Sequence, residues 1–121
     1  MGEVLIDSVA FDDERDACLM VLVEEGPWGA QVHDHLLRLQ GRLYGCLNAA
    51  LDGTLAESFP RSKGMTVVVR VNCYDIPQTA IEEFIQRFSE GVSSLPDYST
   101  VASPFVEKIE FEIKHGTVMG T

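Results

Sequence analysis

His33 and His35, with Asp34 between them, are residue types that suit metal ligation or acid–base work. On a helix, residues two apart diverge by about 200°, so the two imidazoles do not share one ion. A zinc pair needs a spacing of three or four, and no His or carboxylate stands that far from either histidine. Asp34 is placed instead to meet Arg38 one turn on. Asp12, Glu14 and Asp16 carry the 1-3-5 spacing of a calcium loop. The sixth position would be Ala17 where that loop needs Gly, and the twelfth would be Val23 where it needs Glu, so a solvated turn is expected. Cys18, Cys46 and Cys73 form neither an even set nor a C-x-x-C pair. No cation or helix start beside them in sequence would hold a thiolate, and each reads as a small apolar core residue. G-x-S-x-G, G-x-x-x-x-G-K-[ST] and G-x-G-x-x-G are all absent, and Lys63-Gly64 has the wrong order for a phosphate loop. No catalytic residue, metal ligand or cofactor site is assigned, and the reading leans away from an enzyme.

The 121 residues make one domain, 1–121, with 4–115 folded and 116–121 a frayed tail. Apolar residues are 45% and charged residues 23%, enough to build a core. The net charge of −10 and pI near 4.5 argue against nucleic acid or an anionic membrane as partner. No apolar run reaches the roughly 18–20 residues of a membrane span. The start lacks a basic leader region, and the unpaired cysteine count suits a reducing, cytoplasmic setting. The acidity is local. Residues 1–25 hold eight acids and one base, a net of −7, which leaves −3 for the rest.

Around these residues the pattern predicts six elements. Val4–Phe11 and the uniformly apolar Ala17–Glu24 read as strands joined by the charged turn 12–16. From about residue 30, Val32, Leu36, Leu39, Leu43, Leu47 and Ala50 recur at steps of three and four and predict a helix ended by Asp52-Gly53. Gly41, Gly45 and Ala49 add a small-residue stripe, which suggests close packing there. Met65–Tyr74 alternates as a strand, with Val67, Val69, Val71 and Cys73 on one side. Asp75-Ile76-Pro77-Gln78 starts a second helix whose stripe is Ile81, Phe84, Ile85, Phe88 and Val92. Phe105–His115 is the last strand. The fold class is α/β, an α+β two-layer sandwich with the order β-β-α-β-α-β. Its four-stranded mixed sheet carries both helices on one face.

Ile6-Asp7, the helix His35-Leu36-Leu37-Arg38-Leu39-Gln40 preceded by Trp28, and Phe59-Pro60 followed by Lys63-Gly64 are its most distinctive local patterns. In these the chain resembles a small bacterial family catalogued as a domain of unknown function, over roughly residues 4–92. Gly41 and Gly45 inside the helix and a longer final loop depart from that pattern. The resemblance implies the fold and no chemistry.

Helices on one side leave the other sheet face uncovered. With Leu19, Val21 and Val23 turned to the helices, Cys18, Met20 and Leu22 are expected on the bare face beside Val68 and Val106. Arg70, Lys108, Glu110, Glu112 and Lys114 would form the rim. Met20, Leu22, Val68, Arg70, Val106 and Lys108 are the expected partner-binding residues. The expected function is a non-catalytic protein-binding or regulatory module, engaging a protein partner or a second copy through that face or an exposed edge strand. An acidic inhibitor or immunity-type protein masking a basic partner is the alternative. A small enzyme or ligand binder using Trp28, His33 and His35 at the strand C-termini is the contrasting class.

Overall fold

The computed structural model describes residues 8–93 and 105–116. Residues 4–7 of the expected first strand, 94–104 of the expected loop and 117–121 of the expected tail lie outside the described residues, while Gly116, expected in that tail, ends β4. The order is β1 (Ser8–Asp12), β2 (Ala17–Glu25), α1 (Val32–Asp52), α2 (Thr54–Ser58), β3 (Thr66–Tyr74), α3 (Gln78–Ser93) and β4 (Lys108–Gly116). It is the β-β-α-β-α-β plan, with α2 as a short addition inside the first crossover.

The strands lie side by side in chain order. The charged turn lets β2 return antiparallel to β1, and each helical crossover brings the next strand in parallel. α1 and α3 share one core cluster with Val67, Val69, Val71 and Cys73 of β3, so both cover the same sheet face. α1 ends where its sequence says it should. Gly53 sits at φ 96°, and a Cβ there would stand 2.9 Å from the Phe105 ring, so a side chain is refused on both counts.

β2 faces the opposite way from the expectation. Parallel register sets Cys18 beside Val67, Met20 beside Val69 and Leu22 beside Val71, and partners in register share a face. Met20 and Leu22 are therefore fully buried under the helices, while Leu19, Val21 and Val23 turn to the open face with Val68. A strand apolar at nearly every position carries no phase of its own. The two glutamates at its end point opposite ways: Glu25 is exposed, whereas Glu24 shares the phase of Met20 and is buried with it. Val106 also changes sides: it precedes β4 and packs into the helix-covered core.

The small-residue stripe on α1 does not act as one. Ala49 is buried, but Gly41 is exposed and a Cβ there would meet nothing within 4 Å.

Candidate functional site

The six expected partner-binding residues do not form one surface. Val68 and Arg70 lie on the open face, with Lys108 exposed at its corner. Met20 and Leu22 are on the opposite face, and Val106 is in the core. The apolar residues that do lie on the open face are themselves covered: Leu19 is 7% exposed, Val21 9% and Val68 2%.

That face carries a charged lattice. Arg15, in the β1–β2 turn, reaches Glu112 on β4 with both terminal nitrogens, at 3.1 and 3.4 Å. Its Nε donates to Asp12 at 2.8 Å, and Arg70 Nε donates to the same Glu112 carboxylate at 2.5 Å. Burial works to raise the Glu112 carboxyl, but hydrogen bonds from Arg15 and Arg70 outweigh it and hold it below the usual range. Asp12 is lowered by its side-chain bond to Arg15, and Arg15 is raised further by both acids. Arg15 therefore ties the β1–β2 hairpin to β4 across the intervening β3. The sequence offers no signal for this contact, which joins residues ninety-seven positions apart.

The acidic turn is largely occupied with itself. Asp12 pairs with Arg15 and also accepts the backbone N–H of Glu14 and of Arg15, while Asp13 pairs with Arg61, whose guanidinium lies 4.5 Å from the centre of the Phe11 ring. Among the described residues no group of three His, Cys, Asp or Glu side chains is placed to hold a metal ion.

A second region lies at the C-terminal ends of the parallel strands, where open α/β sheets commonly place ligands. A cleft of about 520 Å³ opens there between the β2–α1 loop, the β3–α3 loop and the end of β4. The two loops meet backbone to backbone: Gly26 N donates to Tyr74 O at 2.8 Å, and a Cβ on Gly26 would fall 1.8 Å from the Asp75 carbonyl oxygen. Only glycine permits that approach. Trp28, Cys73, Asp75 and His115 line the cleft. Trp28 is buried, stacks on His35 with ring centres 5.0 Å apart, and leaves its indole N–H without a partner. His35 Nδ1 is held at 2.5 Å by Arg38, which turns to it and not to Asp34. His33 is exposed and does not line the cleft, so the expected trio of Trp28, His33 and His35 is not assembled.

Cys73 shows what the cleft cannot do unaided. Register places it between Glu24 on β2 and His115 on β4. Burial, with the nearby Glu24 and Glu82 carboxylates, pushes its thiol up to about 11, so at neutral pH it is protonated and a poor nucleophile. His115 is engaged with Glu82 at 3.0 Å. Just behind, Glu24 is buried and paired with Arg42 of α1 at 2.5 Å, and Arg42 also donates to Val23 O at 3.1 Å. This pair ties α1 to the end of β2. Strand register alone would have brought Cys73 and His115 together; the buried Glu24 had no signal short of its partner.

A third feature is the edge of the sheet. Among the described residues β4 is one of the two outer strands, nine residues long, and its helix-side residues Ile109, Phe111 and Ile113 are only half-buried. Between it and α3 runs a groove of about 570 Å³, lined by Ile85, Gln86, Ser89 and these β4 side chains.

A family model described as "Family of unknown function (DUF6572)" matches residues 3–103. The chain belongs to the DUF6572 family. The match takes in β1 through α3, and β4 lies beyond it. No curated protein and no solved structure matches the chain. Membership in DUF6572 assigns no activity, so the site rests on geometry. Among the described residues no helix is long and apolar enough to cross a membrane.

Proposed function

We propose that the chain is a non-catalytic protein-binding module that engages its partner by strand addition along the outer edge of β4. The observation that carries this is the pairing of a nine-residue edge strand with an adjacent groove. In strand addition, main-chain hydrogen bonds supply affinity and a groove beside the edge receives alternate side chains. The broad sheet face is a weaker docking surface, because Leu19, Val21 and Val68 are already covered and Glu112 is held by two arginines. Cys18, Cys46 and Cys73 are all buried, and their odd number suits a reducing, cytoplasmic setting.

The test is positional. A photo-crosslinking amino acid at Glu110, on the edge, is expected to give one discrete adduct in cells, whether with a second copy or with another protein. The same group at Asn48, exposed on α1, is expected to give none. Failure to form any adduct at Glu110, or equal labelling at both positions, removes the reading.

A further inference from the structure

We infer that the partner added along β4 is a second copy of this chain, paired antiparallel about Glu112; this rests on the edge-binding reading above. β4 reads Lys108-Ile109-Glu110-Phe111-Glu112-Ile113-Lys114, the same in both directions. Self-pairing about Phe111 therefore sets like on like: Lys108 against Lys114 and Glu110 against Glu112, each twice. Like charges directly opposite one another destabilise a strand pair.

A shift that centres the pairing on Glu112 changes every one of those contacts. Lys108 then meets Gly116, so the whole of β4 is paired from end to end. Glu110, which Lys108 of its own chain already meets at 3.1 Å, gains Lys114 of the second copy, twice by symmetry. Phe111 meets Ile113 of the second copy, also twice, on the side of the α3 groove. The cost is one Glu112–Glu112 contact on the axis. That carboxylate is the one already held by Arg15 and Arg70 in each copy, so its charge is compensated before the copies meet. Centring on Ile113 sets Lys108 and Ile109 opposite positions beyond the end of β4, and it sets Lys114 against the Glu112 those arginines occupy. Charge complementarity, strand length and the apolar pairs thus select one register.

Every pairing in this register keeps residues of one face together, because Glu110, Glu112 and Lys114 share the face of Val68 and Arg70. A two-fold axis normal to the sheet then joins two four-stranded sheets into one, with all helices on the same side. This arrangement closes the β4 edge in both copies and leaves β1 as the outer strand at each end of the described sheet, and a two-fold contact of this kind is self-limiting.

Sedimentation of the full chain over a wide concentration range tests the inference. Wild type is expected to reach twice the 13.4 kDa chain mass. Glu110→Lys and Lys114→Glu each replace two attractive cross-strand pairs by two repulsive ones. Each is expected to weaken dimerisation by about tenfold or more. Both residues are exposed, and circular dichroism verifies that each variant is folded. An equimolar mixture of the two variants restores both pairs, and a heterodimer is expected. A wild type that stays monomeric throughout overturns the inference, as do two variants that dimerise like wild type. A monomer whose Glu110 still crosslinks to a foreign protein removes the second copy and leaves edge binding standing. A monomer with no adduct at Glu110 removes both.

Discussion

The two faces of the sheet are built from the same strand and closed by different means. On one side Cys18, Met20 and Leu22 lie under two helices in a continuous apolar core. On the other, Ala17, Leu19 and Val21 form a small cluster with Val68, and a lattice of Arg15, Asp12, Arg70 and Glu112 spans the same face. Long arginine side chains lay apolar stems along a surface while keeping their charge near water. The lesson is that a strand apolar on both sides does not by itself mark a docking surface. On the face without helices Leu19, Val21 and Val68 are nevertheless almost fully covered, beside the lattice that joins Arg15, Glu112 and Arg70.

The sharpest test of this difference is to place the same charge on each face. Met20→Asp buries a carboxylate among apolar side chains with no partner, and is expected to cost about 5 kcal/mol or more, comparable to the whole stability of a domain this size. Val21→Asp sits beside Arg70 in register and can turn its carboxylate toward that guanidinium, so about 1–2 kcal/mol is expected. Urea denaturation of both variants measures the gap. Equal losses would mean that the open face is as dry as the helix-covered one.

Much of the fold was legible because it rests on period. β3 alternates, α1 and α3 carry clear stripes, and Gly53 and the Asp75–Gln78 turn mark boundaries that the structure repeats within a residue or two. The phase of β2 was not legible, since phase needs contrast between alternate residues and this strand has almost none. Its end carries two adjacent glutamates, which cancel as a phase signal, and the buried one, Glu24, departs from the rule that a carboxylate points to water. Here its partner lies eighteen positions away on α1, a distance over which sequence spacing says nothing. The site suffered in the same way. Cys73 and His115 are readable as neighbours once two strands are aligned, whereas Arg15 on Glu112 depends on a turn reaching over the sheet.

The helix-covered face contains its own exception, and that makes the next test. Glu24 and Arg42 form an ion pair whose side chains are 5% and 15% exposed. Removing one partner of such a pair leaves an uncompensated charge, so Arg42→Ala is expected to cost about 3–5 kcal/mol near neutral pH. Glu24→Gln combined with Arg42→Met removes both charges together and is expected to recover most of that loss. If the double variant is as unstable as Arg42→Ala, the pair holds α1 through its packing and not through charge balance.

The smallest expected effect belongs to the open-face lattice, and its sign follows from Glu112. The folded carboxyl sits below its usual range, so its contribution to stability is present above the unfolded value and is lost as pH falls through the folded one. The molecule should therefore weaken on acidification below the ordinary carboxylate range, and added salt should weaken it in the same direction at neutral pH. Arg15→Ala removes one of the two cations, and partly exposed pairs of this kind are worth only about 0–1 kcal/mol each. The more telling reading is the change in slope. In Arg15→Ala the acid sensitivity should flatten, because the Glu112 carboxyl then moves back toward its ordinary value. Exposure of Leu19 and Val68 would separately show as increased binding of an apolar dye. A variant with an unchanged acid profile and no added dye binding would mean that Arg15 neither tunes Glu112 nor covers the face, and the contrast between the two faces would have to rest on Arg70 alone.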